Sequence, residues 1–266
     1  MNFMNSVKTL DNMRYQPHGT CIYCGSMQSL EKEHIIPFAL SGTAEFPDST
    51  CRKCATITGG FEQKVLRGPM WPVRIFRDLR SRTKHRDAPD QYTLTIVKDG
   101  KELHLNVPLE DVPLLLHFPV FAPPAFLEPN GYERGIIMNG AHTISFGPTP
   151  QDIARKLGAE SITLTQTHEP VAFARMIGKI AYAFAAAENK LRLLKGSPFV
   201  IPAILGHTDD IGRWVSTLTE PTEKFEKLLH RILMHEDRDK NLLIAEVHLF
   251  SDSEAPRYGV ILGELA

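Results

Sequence analysis

The sequence predicts an α+β protein in which a small metal-stapled module, residues 1–88, precedes a larger α+β body with antiparallel strands, residues 89–266. Three observations predict it. All four cysteines fall early, as Cys21-x₂-Cys24 and Cys51-x₂-Cys54. Apolar residues then alternate with period two around Asp99-Gly100, a strand signature, and later recur with helical period from Pro170 onward. With 266 residues, 42% of them hydrophobic and 23% charged, the chain is long enough to bury a substantial core.

The elements follow in order. Ile35 and Ile36 ahead of Pro37 read as a strand that stops abruptly. Tyr92, Leu94 and Ile96 alternate with polar residues, Asp99-Gly100 supplies a type I′ turn, and Leu103, Leu105 and Val107 resume the alternation as a hairpin. The apolar stretch up to Pro129 is broken by Pro113, Pro119, Pro123 and Pro124, so it wraps over a core rather than forming a long helix. Thr149-Pro150 opens a short helix closed by Gly158, and residues 161–164 read as a strand. Phe173, Ile177, Ile180, Phe184, Ala187, Leu191 and Leu194 repeat at steps of three and four, with Gly196 as the stop: a buried helix face. Residues 228–234, 242–250 and 258–262 read as three strands.

Charge is unevenly placed. Between Arg52 and Arg86 ten basic residues stand against Glu62 and Asp78, a local excess of +8 that leaves −9 for the rest of a chain with net charge −1. Such asymmetry predicts an anion-binding N-terminal portion, with a solvated, salt-bridged helix face as the plainer alternative. The first ten residues lack the pattern of a secretory signal, and no span of about 20 apolar residues is apparent. The expectation is a cytoplasmic protein with no membrane partner. In that setting two C-x₂-C pairs read as metal ligands rather than disulfides. Four thiolates on two tight turns can close a tetrahedral Zn²⁺ site and staple a segment too short to fold on burial alone.

Between the knuckles runs Leu30-Glu31-Lys32-Glu33-His34-Ile35-Ile36-Pro37. On a strand, Glu33 and His34 point to opposite faces, so one side chain can meet a cation while the other addresses a water.

Taken together, Cys21-x₂-Cys24, Glu33-His34-Ile35-Ile36-Pro37, Gly42, Asp48-Ser49-Thr50-Cys51-x₂-Cys54 and Phe61-Glu62 resemble a zinc-containing branch of the HNH endonucleases. The resemblance covers residues 21–67. It implies a ββα-metal fold: a strand to Pro37, a loop, a second strand ending at Cys51, and a helix over residues 52–67. It further implies His34 as general base, Glu33 as ligand to a catalytic Mg²⁺ or Mn²⁺, a structural zinc on the four cysteines, and phosphate contacts from Arg52, Lys53, Lys64 and Arg67. The implied activity is hydrolysis of phosphodiester bonds in nucleic acid, with DNA ahead of RNA as partner; a homodimer is the other association to be considered.

The chain departs from the family pattern at Ala55, where Asn or His would supply a second metal ligand, and has only Asp48 near the position of the loop-bracing Asn. Glu62, seven residues beyond Ala55 on the same helix face, can stand in for the missing ligand or be an ordinary surface or capping residue. Two other readings therefore stand beside the nuclease: a zinc-dependent nucleic-acid-binding protein that does not cut, and a zinc cap on a protein-interaction body. Residues 89–266 carry no motif of recognisable chemistry, and His104, His168, His230 and His248 read as structural.

Overall fold

The N-terminal hairpin is set by its own local chemistry. In the computed structural model, which describes residues 10–82, 90–129, 131–132, 134–164, 168–220 and 224–266, strand β1 (Leu30–His34) pairs antiparallel with β2 (Glu45–Cys51). Between the pairs Glu31–Thr50 and Glu33–Phe46 one residue of β1 faces three of β2, so β2 bulges over Pro47–Ser49, with Asp48 at positive φ. The connection turns at Ile36-Pro37 through a 3₁₀ turn over Phe38–Leu40. A Cβ at Gly42 would lie 2.0 Å from the Ile36 carbonyl oxygen, so only glycine lets the returning chain pass. Helix α1 (Arg52–Arg67) starts directly at the end of β2, burying Cys54, Thr58, Phe61, Val65 and Leu66 on one face. Strand, loop, strand and helix thus follow in the expected order. A short helix α2 (Trp71–Phe76), which the sequence reading did not include, comes next.

Two arginines of the basic run have internal partners. Arg74 is buried, donating from Nε to the Ala39 carbonyl at 2.7 Å and from an Nη to the Leu66 carbonyl at 2.8 Å. Arg77 pairs with Asp252 at 2.5 Å and packs over Phe146 and Phe250. Both act as internal braces. Lys84 and Arg86, like the expected boundary at residue 88, lie outside the described residues.

Strands β3 (Tyr92–Lys98) and β4 (Lys101–Val107) form the expected hairpin, with Asp99 and Gly100 both at positive φ as a type I′ turn requires. The proline-rich stretch contains β5 (Leu115–Phe121), paired with β6 (Met138–Ser145). Pro119 is tolerated because β5 has a single strand neighbour. Helix α3 (Pro150–Leu157) carries a capping box between Thr149 and Asp152 and ends on left-handed Gly158. Strand β7 (Ser161–Thr163) completes a three-stranded sheet, β4-β3-β7, over a satellite core of Leu94, Ile96, Val107 and Ile153.

Helix α4 (Pro170–Ala187) is the centre of the molecule, buried on nearly every side. By length and composition it could cross a membrane. Yet 72% of that window is buried inside the structure, as befits a core helix. It stops earlier than Gly196: Asn189 takes a left-handed conformation and Leu191 lies in a 3₁₀ turn, so the apolar stripe outlasts the helix. Helix α5 (Ile201–Leu205) and strands β8 (Val215–Thr217), β9 (His230–Asp237), β10 (Leu242–Leu249) and β11 (Arg257–Glu264) follow. The sheet runs β8-β11-β10-β9, antiparallel throughout, with Leu243, Ala245, Val247 and Leu249 of β10 buried. One apolar cluster runs without a break from Cys21 and Ile35 through Ile177 and Ile180 to Val260. The architecture is mixed α+β with antiparallel sheets.

Candidate metal centre and adjoining cleft

The four cysteine sulfurs converge. Cys21-Ile22-Tyr23-Cys24 is wound into a knuckle by the Gly25 N–H donating to the Cys21 carbonyl at 2.8 Å, with Gly25 at positive φ. The other knuckle joins the last residue of β2, Cys51, to the first turn of α1, where Cys54 lies. All four Sγ atoms lie within 4.8 Å of one another, and Cys24 and Cys51 are 3.7 Å apart. A tetrahedral zinc tetrathiolate with bonds of about 2.3 Å separates its sulfurs by about 3.8 Å. The cluster therefore can hold a metal such as zinc. Among these mutually hydrogen-bonded thiols, burial pushes Cys51 up, but the Cys54 N–H and its neighbours bring it down to about 7, while burial and the same neighbours push Cys54 up, so Cys51 ionises before Cys54.

The adjoining cleft, about 690 Å³, opens between β1, α1 and α2. His34 lines it, and also lines a smaller groove carrying Arg14 and Arg80. The strand alternation works as expected. Glu33 turns inward and is buried, while His34 stands at the junction of the two grooves, beside Phe38 and with Nε2 3.7 Å from a Glu45 oxygen. Desolvation, reinforced by the charges of Lys32 and Lys179, pushes the His34 imidazole down to about 4. It is neutral at neutral pH.

Glu33 and Glu62 do come together, one from β1 and one from α1, but not around an open cation seat. Between them lies the ammonium of Lys179 from α4, 2.5 Å from Glu33 and 3.1 Å from Glu62, and donating to the His34 carbonyl at 2.5 Å. Glu62 Oε1, buried with no hydrogen-bond partner, has this ammonium as its counter-charge. Burial raises the Glu33 carboxyl, with Glu62 adding to it and Lys179 opposing. Burial works against the Lys179 charge, but the two carboxylates overcome it and hold the ammonium protonated. A Mg²⁺ or Mn²⁺ brought between Glu33 and Glu62 would meet a fixed positive charge at contact distance. The expected second ligand position, Ala55, contributes only a methyl group to the cleft wall. The carboxylates expected to hold a catalytic cation are therefore already satisfied, and the described residues do not fit one between them.

Of the expected phosphate contacts, Arg67 lines the cleft. Arg52 is turned to Glu31 at 3.2 Å, and Lys53 and Lys64 are exposed away from the cleft wall. Lys32 and Arg82 line the cleft instead. Lys32 was legible only as part of the strand, and Lys179 gave a single signal: a lysine inside an apolar helix. No family model, no curated protein and no solved structure matches the chain, so the site is read from its own geometry.

Proposed function

We propose that the protein binds nucleic acid along the cleft and hydrolyses its phosphodiester bonds, as an HNH-type endonuclease with a structural zinc on Cys21, Cys24, Cys51 and Cys54. One observation carries the reading: a neutral imidazole, His34, stands where two grooves meet, within the field of Lys32, Lys179 and Arg82. The field that keeps the imidazole unprotonated also draws in a phosphate backbone. His34 takes a proton from water, the hydroxide attacks phosphorus, and the bond to the leaving oxygen breaks as that oxygen takes a proton from solvent water, the imidazolium returning its own proton to solvent. Arg67 and Arg82, with Lys32 held beside them in an ion pair to Glu45, are placed to offset the charge that builds on the phosphate. The hairpin-then-helix order around the cysteines supports the family reading.

Ala55 and the ammonium between Glu33 and Glu62 favour a second reading, in which the cleft grips nucleic acid without cutting it. A supercoiled-plasmid nicking assay, run beside fluorescence-anisotropy binding at fixed low ionic strength, separates the two. Nicking that His34→Ala abolishes, with zinc content and circular dichroism unchanged, supports the nuclease. Binding with no nicking under Mg²⁺, Mn²⁺ or neither supports the binding module. Absence of binding to DNA and RNA alike would overturn both.

A further inference from the structure

We infer that Lys179 is the resident cation of this site: its ammonium occupies the place between Glu33 and Glu62 that a dication would otherwise take, so no divalent metal binds between these two carboxylates. The inference rests on the nucleic-acid reading only for what the cleft does; what the cleft binds is independent of it. Lys179 is 1% exposed and reaches the site from α4, with Glu33, Glu62 and the His34 carbonyl around its nitrogen. The ammonium donates to the His34 carbonyl and stands in ion-pair contact with both carboxylates, so its charge is already matched inside the protein. Lys179 is thus a positioning residue. It fixes the two carboxylates and, through the His34 carbonyl, the backbone from which the cleft imidazole projects.

The charge count points the same way. Two carboxylates and one ammonium leave at most one negative charge in the buried group, whereas adding a dication would create an excess of positive charge in a place with little solvent to screen it. Removing the ammonium reverses the situation. Glu33, buried, and Glu62, partly buried, would then stand close together without that counter-charge, an oxygen-ligand pair of the type that hard cations select.

The test is Mn²⁺ binding to the zinc-loaded full chain, followed by electron paramagnetic resonance and by thermal shift. Added Mn²⁺ is preferable to chelation, which would also strip the thiolate site, and oxygen-preferring Mn²⁺ competes poorly for thiolates. The wild-type chain is expected to bind no Mn²⁺ in the cleft and to keep its melting temperature. Lys179→Met is expected to melt lower, to gain a single bound Mn²⁺ with recovery of melting temperature, and to lose that ion when Glu33→Gln is added. Lys179→Arg, which keeps the cation, is expected to behave as wild type. A wild-type Mn²⁺ site lost in Glu33→Gln would overturn the inference, as would a folded Lys179→Met chain that binds none. If Lys179→Met fails to fold, the wild-type titration decides. Mn²⁺-dependent nicking tied to Glu33 would overturn the inference while supporting the nuclease, and absence of nicking would leave the Mn²⁺ result untouched.

Discussion

At the scale of single residues, His34 and Lys179 make separable predictions. Under the proposed nuclease reading His34→Ala removes the proton acceptor while leaving a partly exposed position that tolerates a smaller side chain, so cleavage should fall by about 10²–10⁴-fold with little change in stability. Single-turnover nicking and urea unfolding measure the two. Lys179→Met is the opposite case. Stripping the ammonium from the buried Glu33 and the partly buried Glu62 should cost about 3 kcal/mol, read as a lower urea midpoint. Charge removal at Lys32, Arg67 or Arg82 belongs with neither. Each should weaken binding of every sequence about equally and flatten the slope of log K against log salt by about one, measured by anisotropy across a salt series.

At the scale of elements, the hairpin β1–β2 and helix α1 depend on the metal knuckles. The chain between the knuckles buries Ile35, Ile36, Leu40 and Phe46 against the main core, and zinc bound to the cysteines would add on the order of 10 kcal/mol, as structural zinc does in modules of this kind. Cys54→Ser should therefore lose zinc and increase hydrogen exchange through β1, β2 and the first turns of α1, while α3 and the β3–β4 hairpin keep their protection. What was legible in the sequence follows the same division between local and distant causes. The knuckles, the Asp99-Gly100 hairpin and the Thr149 cap are short-range signals, and each forms where its spacing places it. Strand β6 was hidden because Met138–Ser145 has no apolar alternation; its pairing with β5 decides its conformation. The end of α4 was hidden because Leu191 and Leu194 continue the stripe after Asn189 has turned the chain. Lys179 was hidden because a lysine ordinarily belongs on a solvent face, and its partners lie far away in sequence.

At the scale of the whole molecule, the later chain is stitched to the earlier one by polar contacts that a boundary near residue 88 would sever. The Tyr182 hydroxyl donates to the Ile22 carbonyl in the first knuckle, Arg77 pairs with Asp252, and His230 joins β9 to the Phe38–Leu40 turn. His230 donates from Nε2 to the Leu40 carbonyl at 2.7 Å and accepts the Phe250 N–H at Nδ1 at 3.1 Å, a pattern only the neutral ring can make. Burial pushes His230 down to about 4, against the pull of the Leu40 carbonyl, and pushes His248 down to about 4 in the same way. Both folded-state values lie below the ordinary 6.5, so between about 6.5 and 4 the unfolded chain binds more protons. Stability is then full above pH 6.5 and falls as pH drops toward 4, by on the order of 2 kcal/mol for each ring. Urea midpoints across that range test it; His230→Gln should flatten the dependence. A fragment of residues 1–88 should lack cooperative melting even with zinc bound, because Cys21 and Ile35 share one core with Ile177 and Val260.

The ammonium that completes the cleft lies 145 residues beyond the carbonyl it meets. A ribosome delivers the acidic pair, the imidazole and the thiols long before that lysine emerges, at roughly 5–20 residues per second. For that interval the nascent chain carries an unfinished pocket, with two carboxylates still dependent on solvent. Docking of α4 then fixes the pocket and closes the core in the same event, so a chain stalled before Pro170 would have the makings of the cleft without the charge that sets it.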